Sequence, residues 1–250
     1  MTDGPILQPG AIALVTGASA GIGTAIAEAL VAKGCQVICT ARRLDRLKAL
    51  AARLGENCHA VELDVADATA TAGLIDSLPE GLREIDILVN NAGHDVGGRQ
   101  PFSDGDVEDW AAIIDTNVTG LIRVSHAVIP GMVARQRGHV INLGSVSGIW
   151  PAPEYNVYTA SKHAVHGFSR NLRLDFAGTG IRVTEIMPGA VRTEFDSARR
   201  RGDDARADAF YDGFATVLVP DDIARCVVFA LEQPPNMIVA EMIVMPTAQG

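Results

Sequence analysis

The chain has 250 residues, of which 48% are hydrophobic, and its formal net charge is -9. This length can bury one sizeable core, and the acidic balance argues against a nucleic-acid partner because a phosphate backbone requires a basic face. No stretch approaches the roughly 18 apolar residues of a membrane span, and the N-terminal MTDGPILQPG lacks the basic start and apolar run of a signal peptide. We therefore expect a cytoplasmic protein with one domain, residues 1–250, whose partners are small molecules.

Short apolar runs alternate with longer helical patterns along the chain. The runs predict seven strands, at 11–16, 36–40, 59–64, 86–90, 139–145, 182–188 and 237–245. Apolar residues three and four apart predict helices at 22–33, 43–54, 67–77, 107–134, 156–176 and 221–232. Because strands joined by crossover helices pair in parallel, we predict an α/β, Rossmann-like, doubly wound fold with a seven-stranded parallel sheet and helices on both faces.

One charged stretch, DSARRRGDDARAD at 196–208, interrupts this pattern before the last predicted helix. Such a polar segment between apolar ones is typical of a loop, and we expect residues 194–216 to form a substrate loop or lid. The four cysteines show no CxxC spacing, so buried reduced thiols are expected rather than a metal site: Cys35, Cys39, Cys58 and Cys226.

The first predicted strand leads into a glycine-rich turn, TGASAGIG at 16–23, and then into a helix. Such a turn lets backbone N–H groups approach a pyrophosphate at the helix N-terminus. Its spacing, GxxxGxG, is not GxGxxG, so the alternative is turn geometry without a ligand. The position at the first strand-to-helix connection favours a dinucleotide site.

The second predicted strand is followed by Arg42 and Arg43. A protein that binds NAD has Asp or Glu at this place, which hydrogen-bonds the ribose 2′-hydroxyl. Two arginines at a helix start oppose the helix dipole, a cost that a bound 2′-phosphate would reverse. The sequence therefore favours NADP(H), and the alternative is two solvated arginines. Asp64, after the third strand, is a candidate for contact with the adenine amino group or for a helix N-cap.

Tyr158 and Lys162 lie four residues apart on a predicted helix, in YNVYTASKHAV. Such pairs are usually plain surface neighbours. The functional alternative is an acid/base pair, because a phenol alone keeps its proton until about pH 10 and a neighbouring ammonium favours the phenolate. Both residues are expected beside, and not within, an apolar core stripe of Val157, Ala160, Ala164, Phe168 and Leu172.

Six motifs follow one another along the chain in the order and spacing of a known enzyme family: TGASAGIG, NNAG at 90–93, Asn117, Ser145, YTASK at 158–162 and PGAVRT at 188–193. With them the chain resembles the short-chain dehydrogenase/reductase family over nearly its whole length. GHVINLGSVSG, NVYTASK, TEF at 193–195 and EMIVMPTAQ are most similar to the branch of NADP-dependent 3-hydroxy acid and serine dehydrogenases.

The resemblance implies Tyr158 as the acid/base, Lys162 as holder of the nicotinamide ribose, Ser145 as donor to the substrate oxygen and Asn117 as anchor of a relay water. It implies NADP(H) as cofactor and a homotetramer, for which the helices at 107–134 and 156–176 could supply symmetric faces. Besides Tyr158 and Lys162, the implied cofactor contacts are Gly17, Ser19, Gly21, Ile22, Gly23, Arg42, Arg43, Asp64, Val65, Asn90, Ala92, Gly93, Pro188, Gly189, Val191 and Thr193.

Four residues are candidates for substrate contact, each with a plainer alternative. His94 could instead be a loop histidine bonded to backbone, and Trp150, expected as a pocket wall, could pack in a lid or against a subunit. Arg99 and Arg199 could hold an anion through their planar guanidinium groups, whereas the run at 199–201 is more typical of a solvated face.

The resulting hypothesis is hydride transfer between NADP(H) and a small polar 3-hydroxy acid or its 3-oxo partner, serine-like. Within enzymes the alternative is a reductase of another small carbonyl, such as a sulfonated or sugar-derived aldehyde. A non-catalytic NADP-binding sensor is the alternative from another class. A sugar epimerase is disfavoured because the chain has no room for an extra substrate domain.

Overall fold

The computed structural model describes residues 4–199 and 215–249, and its strands form one parallel sheet. The sheet order is β3-β2-β1-β4-β5-β6-β7, so the seven predicted parallel strands are confirmed. The strands are β1 (Ile12–Thr16), β2 (Gln36–Ala41), β3 (Cys58–Glu62), β4 (Ile87–Asn90), β5 (Gly138–Leu143), β6 (Ile181–Pro188) and β7 (Glu241–Val244). The order reverses between β1 and β4, the position where open α/β sheets bind ligands.

Helices cover both faces of this sheet, as the alternating pattern predicts. They are α1 (Gly21–Ala32), α2 (Leu44–Leu54), α3 (Ala68–Ala72), α4 (Leu74–Ser77), α5 (Val107–Ile114), α6 (Leu121–Arg135), α7 (Asn156–Asp175), α8 (Phe195–Arg199) and α9 (Pro220–Leu231). Short 3₁₀ turns occur at Glu80–Leu82, Phe102–Asp104 and Val146–Gly148. Within the described ranges no helix is both long and apolar enough to cross a membrane.

Successive strand residues point to opposite faces and fill two cores. On one face Val15 and Val37 pack with Ile26 of α1 and Val227 of α9. On the other face Leu14, Ile38 and Leu88 pack with Leu74, Val124 and Val128. Because side chains are buried on both faces, the central strands are almost continuously apolar, as the sequence pattern indicates.

Two predicted helices are interrupted. The helix expected at 67–77 divides at Gly73 into α3 and α4. The helix expected at 107–134 contains a π-helical turn, Asp115–Gly120, between α5 and α6, and this turn buries Asn117. A hydrophobic pattern near period 3.6 does not distinguish a helix that continues from one widened by a single π turn.

The predicted core stripe of α7 is wrong. Ala160 and Ala164 are exposed, and Val157, Phe168 and Leu172 are only partly buried. The buried residues are instead Ser161, Lys162, Val165 and Ser169. Small hydroxyls can face the sheet here because they are hydrogen-bonded, for example Ser169, which donates to the Val165 carbonyl and accepts from Asn142.

The four cysteines are free thiols, of which Cys35, Cys39 and Cys58 are buried and Cys226 is half-buried. Burial raises the pKa of Cys35 to about 11, so its thiol keeps its proton at neutral pH. In the part of the chain that is described, no group of three or more His, Cys, Asp or Glu side chains could hold a metal ion.

Candidate active site

A cavity of about 470 Å³ opens at the carboxyl ends of the strands, at the reversal of strand order. One end is formed by the glycine turn and the residues after β2, and the other by Ser145, Tyr158 and the first residues of α8. Most of the expected cofactor contacts line it: Gly17, Ser19, Gly21, Ile22, Arg42, Arg43, Asp64, Val65, Ala92, Gly93, Tyr158, Lys162, Pro188, Gly189, Val191 and Thr193. The first end therefore corresponds to the predicted cofactor site and the second to the predicted substrate site.

The glycine turn is held in one conformation by close backbone approach. Gly17 has φ +67°, and a Cβ placed on it would lie 2.8 Å from Ala92 Cα, so only glycine fits. The Asn91 amide donates to the carbonyls of Thr16 at 2.8 Å and Gly17 at 3.2 Å. The turn therefore leaves the backbone at the start of α1 accessible from the cavity.

Gly23 does not line the cavity, and its expected cofactor contact stays a prediction. A Cβ on Gly23 would collide with the Gly17 carbonyl and with the Asn91 amide nitrogen. This glycine therefore allows α1 to pack closely on the turn that precedes it. The third glycine of a dinucleotide-binding turn commonly serves such packing between helix and strand.

The arginines after β2 line the cavity, and Arg43 is held by neighbours. Its Nε and Nη2 donate to Ser19 Oγ at 3.1 and 3.0 Å, and its Nη1 lies 3.4 Å from Glu194 Oε2. Arg46 pairs with the same carboxylate at 2.6 Å, and this bond lowers the pKa of Glu194. Glu194 was not predicted as a site residue, and it brings a negative charge to the predicted 2′-phosphate position.

Asp64 and Val65 line the cavity after β3, and the alternative of an N-cap at Asp64 is wrong. Asp64 Oδ1 accepts from the Ala66 N–H at 3.0 Å and closes a local turn. The N-cap of α3 is Asp67, whose carboxylate accepts from the N–H groups of Thr69 and Ala70. Asp64 therefore faces the cavity from the loop between β3 and α3.

Asn90 is buried and does not line the cavity, and its expected place beside the cofactor stays a prediction. Its amide nitrogen donates to Ser125 Oγ and Asn142 Oδ1, each at 2.9 Å. As the last residue of β4 it ties that strand to β5 and to α6. The next residue, Asn91, lines the cavity instead, together with Ala92 and Gly93.

The predicted catalytic side chains Ser145, Tyr158 and Lys162 line one wall of the cavity. Ser145 follows β5, and its hydroxyl is hydrogen-bonded to Tyr158 and to the N–H of Ser147. Lys162 donates to the Leu143 carbonyl at 2.8 Å, and its Nζ lies 5.8 Å from the centroid of the Tyr158 ring. The structure thus brings together three groups from two segments.

The protonation of this pair differs from the expectation that Lys162 lowers the phenol pKa. Burial raises the pKa of Tyr158 above its ordinary value, and the Arg199 charge and the Ser145 hydrogen bond only partly oppose it. Burial lowers the pKa of Lys162 to about 8, opposed by the charges of Glu185 and Asp95. In this structure removal from water outweighs the predicted effect of the ammonium.

Asn117 is buried in the π-helical turn and does not line the cavity. Its Oδ1 accepts from the His94 N–H at 2.9 Å, and its Nδ2 donates to the His94 carbonyl at 2.9 Å and to Ser161 Oγ at 3.1 Å. The side chain therefore fixes the loop after β4 to α7. The expected anchoring of a relay water stays a prediction.

His94 lines the cavity, and its backbone and ring are both bonded. Its Nε2 lies 3.0 Å from Thr116 Oγ1, and burial together with the charge of Arg42 lowers its pKa. The imidazole is therefore neutral near pH 7. The expected bond of His94 to its surroundings through the backbone is present, and its expected contact with a substrate stays a prediction.

Arg199, at the end of α8, is 6% exposed, so the expected solvated face is wrong for this residue. Its guanidinium lies 2.9 Å from Asp95 and 3.0 Å from Asp196, and it donates to the Tyr155 hydroxyl. Burial raises the pKa of Asp95 to about 6, although the Arg199 charge opposes the shift. Two carboxylates thus surround one guanidinium.

Arg99 lines the same end of the cavity, with its guanidinium carbon 4.2 Å from the centroid of the Tyr155 ring. Trp150 is 52% exposed and does not line the cavity formed by the described residues, so its place in a pocket wall, in a lid or against a subunit stays a prediction. Of the predicted lid at 194–216, residues 200–214 lie outside the described residues, and so do Arg200 and Arg201.

Several cavity residues were not predicted because no local pattern distinguishes them. Tyr155 falls inside the stretch SGIWPAPEY, where nothing in the local sequence marks this one residue as part of a cavity. Gln249 approaches from the C-terminal segment, and its Oε1 accepts from the Ala190 N–H at 2.9 Å. The segment from Pro188 to Thr193 is thereby held against the cavity.

Comparisons with known proteins agree with this geometry. The family model described as short chain dehydrogenase matches residues 11–204. The NADP-dependent 3-hydroxy acid dehydrogenase YdfG of Salmonella typhi is 47% identical over 96% of both chains. Sulfoacetaldehyde reductase 2 of Chromohalobacter salexigens is 43% identical over 96% of this chain and 95% of that protein.

Solved structures give the same result. A closed form of serine dehydrogenase complexed with NADP⁺ superimposes with a TM-score of 0.92, at 44% identity over 96% of both chains. Serine dehydrogenase from Escherichia coli superimposes with a TM-score of 0.84, at 40% identity over 96% of this chain and 99% of that one. The chain therefore belongs to the short-chain dehydrogenase family.

Proposed function

We propose that this protein is an NADP-dependent oxidoreductase that transfers a hydride between NADP(H) and a small polar 3-hydroxy acid, serine-like, or its 3-oxo partner. The observation that carries the proposal is that Ser145, Tyr158 and Lys162 line the same cavity as the glycine turn and Arg42. The relatives named for NADP-dependent 3-hydroxy acid dehydrogenase and serine dehydrogenase support the choice of cofactor and acid.

The residues of the cavity fit a dinucleotide with a 2′-phosphate. The Gly17 turn has no room for a side chain, and Arg42 and Arg43 follow β2, where they would hold the 2′-phosphate through charge-assisted hydrogen bonds. When bound, NADP(H) supplies or accepts the hydride. A phosphate that paired with Arg43 would lie near the Glu194 carboxylate that already pairs with it, and the repulsion between the two anions would favour release of Arg43 by Glu194.

The chain's own groups handle the proton. In the reducing direction Tyr158 donates the proton of its hydroxyl to the substrate oxygen, and Ser145 holds that oxygen through a hydrogen bond. Lys162 stabilises the phenolate that is left, since an ammonium favours the ionised phenol. Because the Asn117 side chain is bonded to His94 and Ser161, we propose that any water it anchors in a proton relay is bound through its main chain.

The substrate is an anion in this proposal, with Arg99 as the residue that binds it. Arg199 already faces the carboxylates of Asp95 and Asp196, so its charge is compensated inside the protein. Arg99 lines the cavity and stacks on Tyr155, and a planar guanidinium binds a carboxylate through paired hydrogen bonds. A sulfonated aldehyde is the second candidate, favoured by the relative named sulfoacetaldehyde reductase 2.

Steady-state rates with a matched panel test this function. The panel contains serine, a 3-hydroxy acid without the amine, the sulfonated aldehyde, and uncharged alcohols and ketones of equal size, each with NADP(H) and with NAD(H). We expect turnover with the anionic compounds and preference for NADP(H). Turnover with the uncharged compounds alone would contradict an anionic substrate, and saturable NADPH binding without turnover of any compound would favour the sensor.

Apolar side chains are exposed on α5, α6 and α7, among other described elements. Val107 of α5, Ile122 and Val133 of α6 and Leu174 of α7 are exposed. We propose that such faces pack between subunits of a homotetramer, since uncovered apolar side chains favour association. Light scattering after size exclusion measures the mass, and a mass of about 26.3 kDa, that of one chain, would contradict the proposal. The cytoplasmic location stays a prediction.

A further inference from the structure

A buried carboxylate–imidazole pair lies behind the catalytic wall and has no part in the proton transfer described above. Glu185 of β6 is 0% exposed, and its Oε2 lies 2.7 Å from Nδ1 of His166 on α7. Its second oxygen, Oε1, is buried without a hydrogen-bond partner among the described residues. A buried carboxylate is costly unless a nearby positive group compensates its charge.

The position of Oε1 follows from the sheet. Glu185 pairs with Asn142 of β5, so both side chains point to the face that α7 covers, where Asn142 bonds Ser169. A Cβ added to Gly144 would collide with Glu185 Oε1. Gly144 lines the cavity, so the unpartnered oxygen lies directly behind the cavity wall.

Lys162 approaches the same place from α7. Tyr158, Lys162 and His166 are spaced by four residues on this helix and therefore share one face. The Lys162 ammonium donates to the carbonyl of Leu143, the residue before Gly144. The ammonium and the Glu185 carboxylate thus converge on two consecutive residues at the end of β5.

We infer that Glu185, oriented by His166, is a positioning residue that holds the positive charge on Lys162 and, through it, supports proton transfer by Tyr158. This inference rests on the proposed function, because Lys162 acts on Tyr158 there. Glu185 does not line the cavity, so it acts only through Lys162.

The charges around the pair agree in sign with this role. Burial lowers the pKa of Lys162 to about 8, and Glu185 followed by Asp95 are the charges that raise it. Burial raises the pKa of Glu185, and so does the Glu241 charge from β7, whereas the His166 hydrogen bond and the Lys162 charge lower it. Without an ionised Glu185, Lys162 would lose its proton at a lower pH.

The test uses the fact that the chain has only three lysines, Lys33, Lys48 and Lys162. Trace acetylation with acetic anhydride across a pH series, read by mass spectrometry, gives the titration midpoint of each lysine in the cofactor-free protein. The exposed Lys33 and Lys48 serve as internal references. We expect Glu185→Gln to lower the Lys162 midpoint by about 1 pH unit or more, because one opposite charge is lost.

A second variant and a control complete the design. His166→Leu removes the bond that keeps Glu185 ionised and should lower the Lys162 midpoint too, so it is the second variant if Glu185→Gln does not fold. Glu241→Gln changes a carboxylate that pairs with Arg170 and Arg173, and it should leave the midpoint in place. An unchanged Lys162 midpoint in a folded Glu185→Gln or His166→Leu protein would overturn the inference.

Enzyme activity gives a second readout. In the reducing direction the alkaline limb of kcat against pH should move to lower pH in Glu185→Gln, whereas a purely structural defect would lower kcat equally at all pH values. Acetylation needs neither cofactor nor turnover, so it tests the inference separately from the proposed function. If the Lys162 midpoint shifts in Glu185→Gln but the native protein reduces no compound, the proposed function is contradicted. The inference that Glu185 holds the positive charge on Lys162 is then still supported.

Discussion

The two ends of the cavity are built in different ways. The cofactor end is made mainly of backbone, with Gly17 against Ala92 and Asn91 bonded to the turn, so its shape depends on which side chains are absent. The substrate end is made of side chains from separate segments, with Arg199 between Asp95 and Asp196 and Arg99 on Tyr155. Backbone sites follow from local sequence, whereas side-chain sites depend on contacts between distant residues.

The largest effect on turnover is expected at Tyr158, where the cofactor end and the substrate end of the cavity meet. Tyr158→Phe removes the only hydroxyl that the proposal uses as proton donor, so kcat should fall by about 10²-fold to 10⁴-fold while the NADPH dissociation constant stays close to that of the native protein. Stopped-flow kinetics and fluorescence titration measure the two quantities. Tyr155→Phe is the matched control and should cost about tenfold or less, since only a hydrogen bond from Arg199 is lost. Native turnover in Tyr158→Phe would remove the assigned acid/base.

At the cofactor end, the double change Arg42→Ala and Arg43→Ala should raise the KM for NADPH by about 10²-fold to 10⁴-fold, because each of the two charge-assisted hydrogen bonds contributes about 1.5–3 kcal/mol. The KM for NADH should change little. Arg53→Ala, on the exposed last turn of α2, is the control. Equal changes for NADPH and NADH would contradict binding of the 2′-phosphate.

At the substrate end, Arg99→Gln should raise the KM for an anionic substrate by about tenfold, through the loss of about 1.4 kcal/mol of ionic hydrogen bonding. The KM for an uncharged alcohol should stay constant, and so should that for NADPH. The measurement is a pair of initial-rate series with the two substrates. If both substrates lose affinity equally, Arg99 shapes the cavity and does not bind the anion.

Thermal unfolding can test whether close backbone packing at Gly23 shapes the cofactor end of the cavity. Gly23→Ala places a methyl group against the Gly17 carbonyl and should destabilise the fold by about 1–3 kcal/mol, with weaker NADPH binding. Gly167→Ala is the control, since a Cβ there meets no atom within 4 Å on an exposed part of α7, and it should be neutral or stabilising by up to about 1 kcal/mol. Thermal unfolding of both variants measures the difference, and equal Tm values would contradict close packing at Gly23.

The sequence predicts the sheet and the cofactor end well, because strand patterns and the glycine turn are local. It does not show that Gly23 packs against the preceding turn or that Asn90 is buried, because a motif does not tell in which direction a residue faces. It fails for α7, where hydrogen-bonded Ser161 and Ser169 replace apolar residues in the packed face. The environment of Arg199 could not be predicted, since its partner Asp95 is more than a hundred residues away.

Glu194 belongs to a segment that contacts both the cofactor end and the substrate end of the cavity. It bonds Arg43 and Arg46 at the cofactor end, and five residues later Arg199 closes α8 beside Tyr155. A nucleotide phosphate that displaces the Glu194 carboxylate therefore acts on residues 194–199, the segment that also shapes the substrate end of the cavity. We expect an ordered kinetic scheme in which NADPH binds first and prepares the pocket for its second ligand.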